Sequence, residues 1–213
     1  MENKTIQKMY NFFSSIPGFW ELDAWTCRAT AKSPYRARLI DKLGITPSSQ
    51  VLDVACGTGL NFNLLQKALE EKGRLVGIDQ SKKTLALAHR KLNKHQWNNA
   101  ELIETDSASF RAETPFDCAL CTFAIEIIPP WKETIDMMIN SVCSGGRIGF
   151  IGFKPSSIKP YTIFNGFFRA ISVPFGGVEL DRDVRKYMSE RTDELFYEEV
   201  YGGFYYILVG QKR

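Results

Sequence analysis

Short apolar segments alternate with amphipathic ones between residues 51 and 153, and this alternation limits the fold of the 213-residue chain most strongly. Five segments have the composition of buried strands: "VLDVA", "RLVGID", "AELIET", "FDCALCTFAI" and "RIGFIGF". The segments between them, such as "LNFNLLQKALEE" and "SKKTLALAHRKLNK", repeat apolar residues at helical spacing. Buried strands joined by helices form a parallel sheet that is covered on both faces. The pattern therefore predicts a doubly wound α/β fold.

Individual residues mark the limits of the predicted helices. Ser81 is the predicted N-cap of one helix, and Gly145 with Gly146 is predicted to end the helix "PWKETIDMMINSVC". In the helix after the first strand, the residues predicted to face inward are Leu60, Leu64, Leu65, Ala68 and Leu69.

The two ends of the chain add to this central unit. Residues 2–14 have the spacing of an amphipathic helix, and a further helix that begins near Tyr35 is predicted to end at Gly44. At the other end, "ELFYEEVY" and "FYYILVGQKR" flank two glycines and predict an antiparallel hairpin at the sheet edge. We therefore expect one domain, 1–213, with seven strands, a helical N-terminal cap over 1–45 and a lid-like insertion over 154–180.

Composition and charge argue against several classes of protein. The net charge is only +3 and no Lys/Arg block is present, so nucleic acid is not an expected partner. The polar start "MENKTIQKMYNFF" does not resemble a signal peptide. No apolar stretch approaches the roughly 18 residues of a membrane span. We expect a cytoplasmic protein.

The cysteines do not predict a metal site. The chain contains five, an odd number, scattered over apolar segments, which is typical of reduced thiols. Cys118 and Cys121 form a C-x-x-C pair, but residues three apart in a strand point to opposite faces. No second pair follows, and the two histidines are distant in sequence. Two buried strand thiols are therefore favoured over a metal or redox centre.

A glycine loop, "ACGTG", directly follows the first predicted strand. In an open parallel sheet, ligands bind at the carboxyl ends of the strands, and Gly57 and Gly59 would let a ligand approach the backbone closely. A dinucleotide loop needs a small residue where this chain has Phe62, and the Lys-Ser/Thr of a P-loop is missing. The chain also lacks a plausible Tyr–Lys or His–Asp reduction site, so a nicotinamide dehydrogenase is disfavoured.

The loop and its strand instead resemble motif I of class I S-adenosylmethionine (SAM) methyltransferases, which implies a Rossmann-like fold, SAM as cofactor and S-adenosylhomocysteine as product. The resemblance implies that Asp79, at the end of the second strand, binds the ribose hydroxyls. It implies that Asp106 and Ser107 contact adenine, and that Asp53 and Thr122 lie near the methionine part. The remaining residues of the predicted cofactor site are Ala55, Cys56, Gly57, Gly59, Asn61 and Gln80.

Three other stretches resemble particular groups of methyltransferases. "GLNF", "IIPPW" and "YGGFYY" are similar to the small N-methyltransferases of phospholipid and betaine-lipid head groups, and to the wider ubiquinone and menaquinone methyltransferases. This similarity implies N-methylation of an amine head group. The alternatives are C- or O-methylation of a quinone-like or other small molecule, and a non-catalytic SAM-binding subunit.

Two residues are candidates for catalysis. Glu126 interrupts the apolar run "FAIEIIPP", and a buried acid needs a partner. It would face a substrate amine or the sulfonium region, or else pair with an arginine or cap the following helix. Tyr10 would cover the SAM pocket, or else belong to the core. An amine needs only to be presented unprotonated, and His89 and His95 are not expected near the site.

The insertion has an amphiphilic composition. Residues 154–175 contain five aromatic and three basic residues and no acid, and the N-terminal segment 1–20 carries Lys4 and Lys8 beside an apolar stripe. Two interpretations remain open. The two segments pack on each other as lid and cap, or they contact an anionic membrane surface peripherally.

Overall fold

Seven strands form one sheet at the centre of the molecule. The computed structural model describes residues 35–213, apart from the side chains of residues 171–176. The strands are β1 Gln50–Val54, β2 Arg74–Asp79, β3 Ala100–Glu104, β4 Phe116–Thr122, β5 Val142–Phe153, β6 Thr192–Val200 and β7 Tyr205–Lys212.

Six α-helices of the described range accompany the strands. They are α1 Tyr35–Leu43, α2 Phe62–Leu69, α3 Lys82–His95, α4 Trp131–Ser141, α5 Asn165–Gly176 and α6 Val184–Ser189. Short 3-10 helices cover Ser107–Ser109 and Tyr161–Phe164. Within this part of the chain, no helix is long and apolar enough to cross a membrane.

The strand order is β3-β2-β1-β4-β5-β7-β6. Strands β1 to β5 pair in parallel, whereas β7 runs antiparallel to both β5 and β6. The predicted α/β class, with a mostly parallel seven-stranded sheet and an antiparallel C-terminal hairpin, is confirmed. From β1 the chain adds β2 and β3 on one side of the sheet and then β4 and β5 on the other side. A crevice therefore opens at the carboxyl ends of β1, β2 and β4, where the direction of strand addition reverses.

Apolar side chains form a separate core on each face of the sheet. On one face, α1, α2 and α3 cover the sheet with buried residues such as Leu39 and Phe62. On the other face, α4 and α6 contribute residues such as Met138 and Met188. Cys118 belongs to the first core and Cys121 to the second, so the two thiols point to opposite faces as predicted.

Several predicted helix limits hold. Helix α1 ends at Leu43, and Gly44 follows with a φ of +64°, a conformation that glycine adopts without strain. Ser81 caps α3, since its side chain accepts a hydrogen bond from the backbone N–H of Thr84. Residues 2–14, predicted as a helix, lie outside the described residues.

Other predicted limits were wrong. Helix α4 ends at Ser141, and Gly145 and Gly146 lie inside β5 rather than ending the helix. They lie where the pairing between β4 and β5 shifts register. Phe116 pairs with Val142, whereas Cys118, two residues later, pairs with Arg147, which is five residues after Val142. Of the residues predicted to face inward in α2, Leu60 precedes the helix and lines the crevice instead. Leu64 and Ala68 lie in the helix but are only partly buried. Helices α5 and α6 were not predicted.

Candidate functional site

A cleft of about 1130 Å³, part of it open to solvent, lies at the carboxyl ends of β1, β2, β3 and β4. Eight of the eleven residues predicted to contact the cofactor line it: Ala55, Cys56, Gly57, Asp79, Gln80, Asp106, Ser107 and Thr122. The other three, Asp53, Gly59 and Asn61, lie behind its wall. The strand order thus brings together side chains that are far apart in the sequence.

The two glycines of the loop have different structural roles. Gly57 and Gly59 both have positive φ angles, +56° and +71°. A Cβ on Gly57 would meet no atom within 4 Å, so this residue faces open space in the cleft. A Cβ on Gly59 would overlap the ring of Phe62, which is fully buried. The bulky residue that argued against a dinucleotide loop therefore packs beneath the turn.

Asp79 ties the glycine loop to β2. Its carboxylate accepts hydrogen bonds from the backbone N–H of Gly57 at 2.9 Å, from the backbone N–H of Ser81 at 2.8 Å and from the hydroxyl of Thr84 at 3.2 Å. Burial raises the pKa of Asp79, while these hydrogen bonds counter the rise. Because a carboxylate accepts about four hydrogen bonds, one acceptor position remains for a ligand in the cleft.

The end of β3 supplies a second carboxylate. Asp106 accepts a 2.9 Å hydrogen bond from the backbone N–H of Ala108 and so caps the short 3-10 helix. The hydroxyl of the adjacent Ser107 lies 2.9 Å from that of Thr134 on α4. Both Asp106 and Ser107 line the cleft and are positioned by these contacts.

A polar network joins β1, β4 and α1. The Asn61 amide donates to both oxygens of Asp53, at 3.1 and 3.0 Å, and to the Thr122 hydroxyl at 3.1 Å. Arg36 donates to Asn61 Oδ1 at 2.6 Å and to Thr122 Oγ1 at 2.7 Å. Burial raises the pKa of Asp53 to about 7, although the Asn61 hydrogen bond and the Arg36 charge lower it.

Sequence reasoning missed Arg36, which lines the cleft from the first turn of α1. The residue stands 25 positions before Asn61 and 86 before Thr122, so no motif or spacing marked it. The only available signal was its place in a predicted helix whose apolar face must pack on the sheet.

Five aromatic rings form a cluster beside the cleft. We call Tyr35, Phe123, Phe153, Tyr201 and Tyr205 the aromatic cluster. The Phe123 ring lines the cleft and lies 5.6 Å from Tyr35, 5.1 Å from Phe153 and 5.6 Å from Tyr205, measured between ring centres. Tyr201 lies 5.3 Å from Tyr205. Rings at these distances, several of them edge to face, pack favourably.

Glu126 lies behind the cleft wall rather than in it. Its side chain is fully buried, and its Oε1 accepts a 2.6 Å hydrogen bond from the phenol of Tyr206. The partner is thus a tyrosine, whereas the predicted alternatives were an arginine or a helix cap. Burial raises the pKa of Glu126 to about 7. Tyr10, the other catalytic candidate, lies outside the described residues.

The residues of the cleft fit SAM. Gly57 leaves room for a ligand against the backbone, and the buried Thr58 hydroxyl has no partner among the described residues. Carboxylates at two strand ends suit hydroxyl and amino donors. Among the described residues lining the cleft there is no lysine, as a phosphate-binding loop would place there. The described residues also contain no cluster of three or more side chains able to hold a metal ion.

Comparisons with known proteins agree with this assignment. A family model described as a methyltransferase domain matches residues 51–146. A demethylmenaquinone methyltransferase of Alkalihalophilus pseudofirmus is 23% identical over 177 residues, covering 82% of this chain and 71% of that protein. The demethylmenaquinone methyltransferase of Oceanobacillus iheyensis is 23% identical over 185 residues, covering 86% of this chain and 74% of that protein.

Solved structures share the fold. The N-methyltransferase NodS of Bradyrhizobium japonicum, in complex with S-adenosylhomocysteine, superposes with a TM-score of 0.69 at 15% identity, covering 97% of this chain and 98% of NodS. The geranyl diphosphate C-methyltransferase of Streptomyces coelicolor gives a TM-score of 0.68 at 12% identity, covering 84% of this chain and 77% of that protein. These structures show the fold alone; the matched methyltransferase domain, the methyltransferase relatives and the cleft described above support a class I SAM-dependent methyltransferase.

Proposed function

We propose that this methyltransferase N-methylates the amine head group of a small or amphiphilic acceptor. The observation that carries the proposal is the aromatic cluster at the β4 side of the cleft, where Phe123 joins it to the cleft wall. SAM, when bound, supplies an electrophilic methyl group on its sulfonium. The chain's own residues bind and orient the two reactants and exclude water around them.

The cofactor lies across the carboxyl ends of the strands in this proposal. Asp79 accepts from one ribose hydroxyl through its remaining acceptor position, and Asp106 with Ser107 contacts adenine. The loop backbone around Gly57 follows the middle of the cofactor. Asp53 acts through Asn61 and Thr122 at the methionine end, because it is buried behind them. Gln80, Ala55 and Cys56 line the wall between these groups.

An aromatic cluster favours a cationic acceptor. Ammonium groups are attracted to the faces of Tyr and Phe rings, an interaction worth about 0.5–2 kcal/mol per site. Because the guanidinium carbon of Arg36 already lies 5.1 Å from the centre of the Phe123 ring, the ammonium group would bind at Phe153 and Tyr205 instead. The attacking nitrogen must be unprotonated, and the described lining of the cleft contains no histidine. The acceptor nitrogen therefore loses its proton before attack, and activity rises with pH toward the pKa of the acceptor amine.

Glu126 stays a predicted proton acceptor, and two observations bear on it in opposite directions. Its pKa of about 7 suits proton transfer near neutral pH. Its position behind the cleft wall, bonded to Tyr206, opposes direct contact with an acceptor. Substitution of Glu126 distinguishes a proton acceptor from an acid with a structural role only.

A second candidate is C-methylation of a quinone-like ring. The two relatives described above are demethylmenaquinone methyltransferases. A flat apolar ring would also pack against the rings of the aromatic cluster, edge to face or offset-stacked. The same cleft therefore admits both chemistries, and the methylated atom has to be measured.

Peripheral membrane contact is part of the proposal for a cytoplasmic enzyme with an amphiphilic acceptor. Several apolar side chains of the segment 154–175 are exposed to solvent: Ile158, Tyr161, Ile163, Phe164 and Phe167. The neighbouring Phe168 faces the other way, with its ring 4.7 Å from Phe204 and 6.4 Å from Tyr205. In this proposal the insertion acts as a lid, with Phe168 toward the aromatic cluster and the exposed apolar side chains toward the lipid surface.

Radiolabel transfer from SAM tests the acceptor. The purified enzyme is incubated with micelles containing phosphatidylethanolamine, with phosphoethanolamine, or with a reduced naphthoquinone, and the position of the label is determined. Label on nitrogen supports the proposal, and label on ring carbon establishes the second candidate instead.

The aromatic cluster is tested by Phe153→Leu. We expect the KM for the acceptor to rise about tenfold while the affinity for S-adenosylhomocysteine stays unchanged. Phe196→Leu, outside the cluster and the cleft, is the matched control. An unchanged KM in Phe153→Leu would show that the aromatic cluster does not bind the acceptor.

A further inference from the structure

Arg182 joins two segments that are far apart in the sequence. It lies in residues 177–183, which we call the connecting segment because they run from the lid helix α5 to α6. Its Nη1 donates to the backbone carbonyl of Ile125 at 2.6 Å and to that of Ile128 at 2.5 Å. Both carbonyls belong to residues 123–130, the β4–α4 loop. Only 5% of the Arg182 side chain is exposed, so a buried guanidinium holds the two segments together.

Further hydrogen bonds fix the connecting segment. The backbone N–H of Glu179 donates to the backbone carbonyl of Glu126 at 2.8 Å. The Glu179 carboxylate lies 3.2 Å from Nε and 3.1 Å from Nη2 of Arg182, which orients the guanidinium. Asp183 caps α6, since its carboxylate accepts from the backbone N–H of Lys186 at 3.0 Å. The segment is therefore held between the β4–α4 loop and α6.

A small apolar cluster connects the lid helix to the cleft. Ile127, Val178 and Leu180 are buried against one another, with Phe153 and Phe168 packed on them. Ile127 also lines the cleft, whereas Phe168 belongs to α5. Closely packed side chains transmit displacement to their neighbours. A restraint on the β4–α4 loop is therefore also a restraint on the lid helix.

We propose that Arg182 is a positioning residue that couples the lid to the cofactor cleft, so that a bound cofactor orders the lid over the acceptor. A ligand that fills the cleft packs against Ile127, Ile128 and Pro129 and limits the movement of their loop. Arg182 carries this restraint to the connecting segment. Because coupling between two sites is reciprocal, an acceptor held by the lid tightens cofactor binding by the same factor.

This inference rests on the proposed role of residues 154–180 as a lid, and it holds for either acceptor chemistry. Arg182 touches neither reactant. The radiolabel experiment identifies the acceptor without reference to the lid, so the proposed function and the coupling fail separately.

A purely structural role of Arg182 is the competing explanation. Loss of its donors would leave two backbone carbonyls without this partner and would destabilise the chain with or without a ligand. Loss of coupling would instead abolish the effect of the ligand on the lid. The difference between the free and the ligand-bound protein therefore separates the two roles.

Hydrogen exchange with and without saturating S-adenosylhomocysteine measures this difference. In the wild type we expect the ligand to slow exchange in residues 156–170 at least about fivefold. In Arg182→Met the slowing should fall below about twofold, while β2 keeps its protection and shows that the fold is intact. Arg182→Lys, which keeps the charge but not the planar fork, should retain an intermediate slowing.

The matched control is Arg185→Met. Arg185 lies three residues after Arg182 and pairs with Glu194 on β6 through hydrogen bonds of 2.8 and 2.7 Å. It does not line the cleft. The ligand should slow exchange in the lid of this variant as it does in the wild type.

Three outcomes would overturn the inference. They are a wild-type lid whose exchange is the same with and without S-adenosylhomocysteine, full slowing in Arg182→Met, and equal loss of slowing in Arg185→Met. If Arg182→Met also loses the protection of β2, Arg182→Lys decides. Slowing below the wild-type value in a folded Arg182→Lys supports the coupling, and wild-type slowing contradicts it.

Discussion

The phenol of Tyr206 donates a 2.6 Å hydrogen bond to Oε1 of Glu126, and both side chains are buried. Gly152 makes room for the pair, since a Cβ at this position would overlap both groups. The second carboxylate oxygen, Oε2, has no hydrogen-bond partner among the described residues. Burial without a cationic partner in direct contact raises the pKa of Glu126 to about 7.

The buried carboxyls predict that stability falls as the pH rises. Asp53 and Glu126 both have folded-state pKa values raised to about 7, so each binds its proton more tightly in the folded chain than in the unfolded one. Their contribution is complete below pH ~4 and is lost as the pH rises through about 7. We expect the wild-type Tm to fall between pH 5 and pH 8.

Glu126→Gln isolates one of these groups, because the amide resembles the protonated acid. Its Tm should fall less than that of the wild type over the same pH range, a difference on the order of 2 kcal/mol in the free energy of unfolding. Glu104→Gln, at an exposed strand end, is the control and should follow the wild type. Parallel curves for Glu126→Gln and the wild type would contradict the raised pKa.

The same variant tests catalysis. If Glu126 takes the proton of the acceptor, Glu126→Gln should lower kcat strongly and change the pH profile, while the affinity for SAM stays nearly intact. Steady-state kinetics with radiolabelled SAM between pH 6 and pH 9 measure this. An unchanged kcat and pH profile would leave Glu126 as a structural acid bonded to Tyr206.

Asp79 is predicted to bind the ribose. Asp79→Asn should weaken SAM about ten- to a hundredfold, since it removes charge from the ribose contact and from the hydrogen bonds to Gly57 and Ser81. Asp79→Ala should cost at least as much. Calorimetry measures the loss, with Glu104→Gln on the adjacent strand end as control. An unchanged affinity would exclude Asp79 from the cofactor site.

Membrane contact is tested by removing exposed apolar side chains. Ile163 and Phe167 are 75% and 68% exposed, so the double variant Ile163→Ser, Phe167→Ser should fold normally. It should bind vesicles of phosphatidylglycerol and phosphatidylcholine at least about tenfold more weakly in co-sedimentation. Leu195→Ser, an exposed apolar residue on β6, is the matched control. Equal sedimentation of all proteins with and without vesicles would argue against membrane contact.

Much of the fold follows from local sequence. The apolar runs of β1, β2 and β4 and the helical spacing of α1 and α3 predicted those elements, because each pattern depends on residues within one or two turns or strands. The glycine loop and the acids at the ends of β2 and β3 could also be predicted, since a residue that follows a buried strand must lie at the carboxyl edge of the sheet. Prediction failed at Gly145 and Gly146, where pairing with β4 draws the segment into β5.

The sequence by itself therefore determined the succession of β1 to β7 and of α1 to α4 along the chain, the turn at Gly57 and Gly59, and the edge of the sheet that holds the cleft. Only the tertiary structure decided which distant side chains meet there. Arg36 reaches Thr122 across 86 residues, and Glu126 finds Tyr206 across 80. Such contacts depend on strand order, register and helix packing, which sum over many weak interactions of the whole chain. No local pattern records them, so the cation of the cleft and the partner of the buried acid emerged only from the folded molecule.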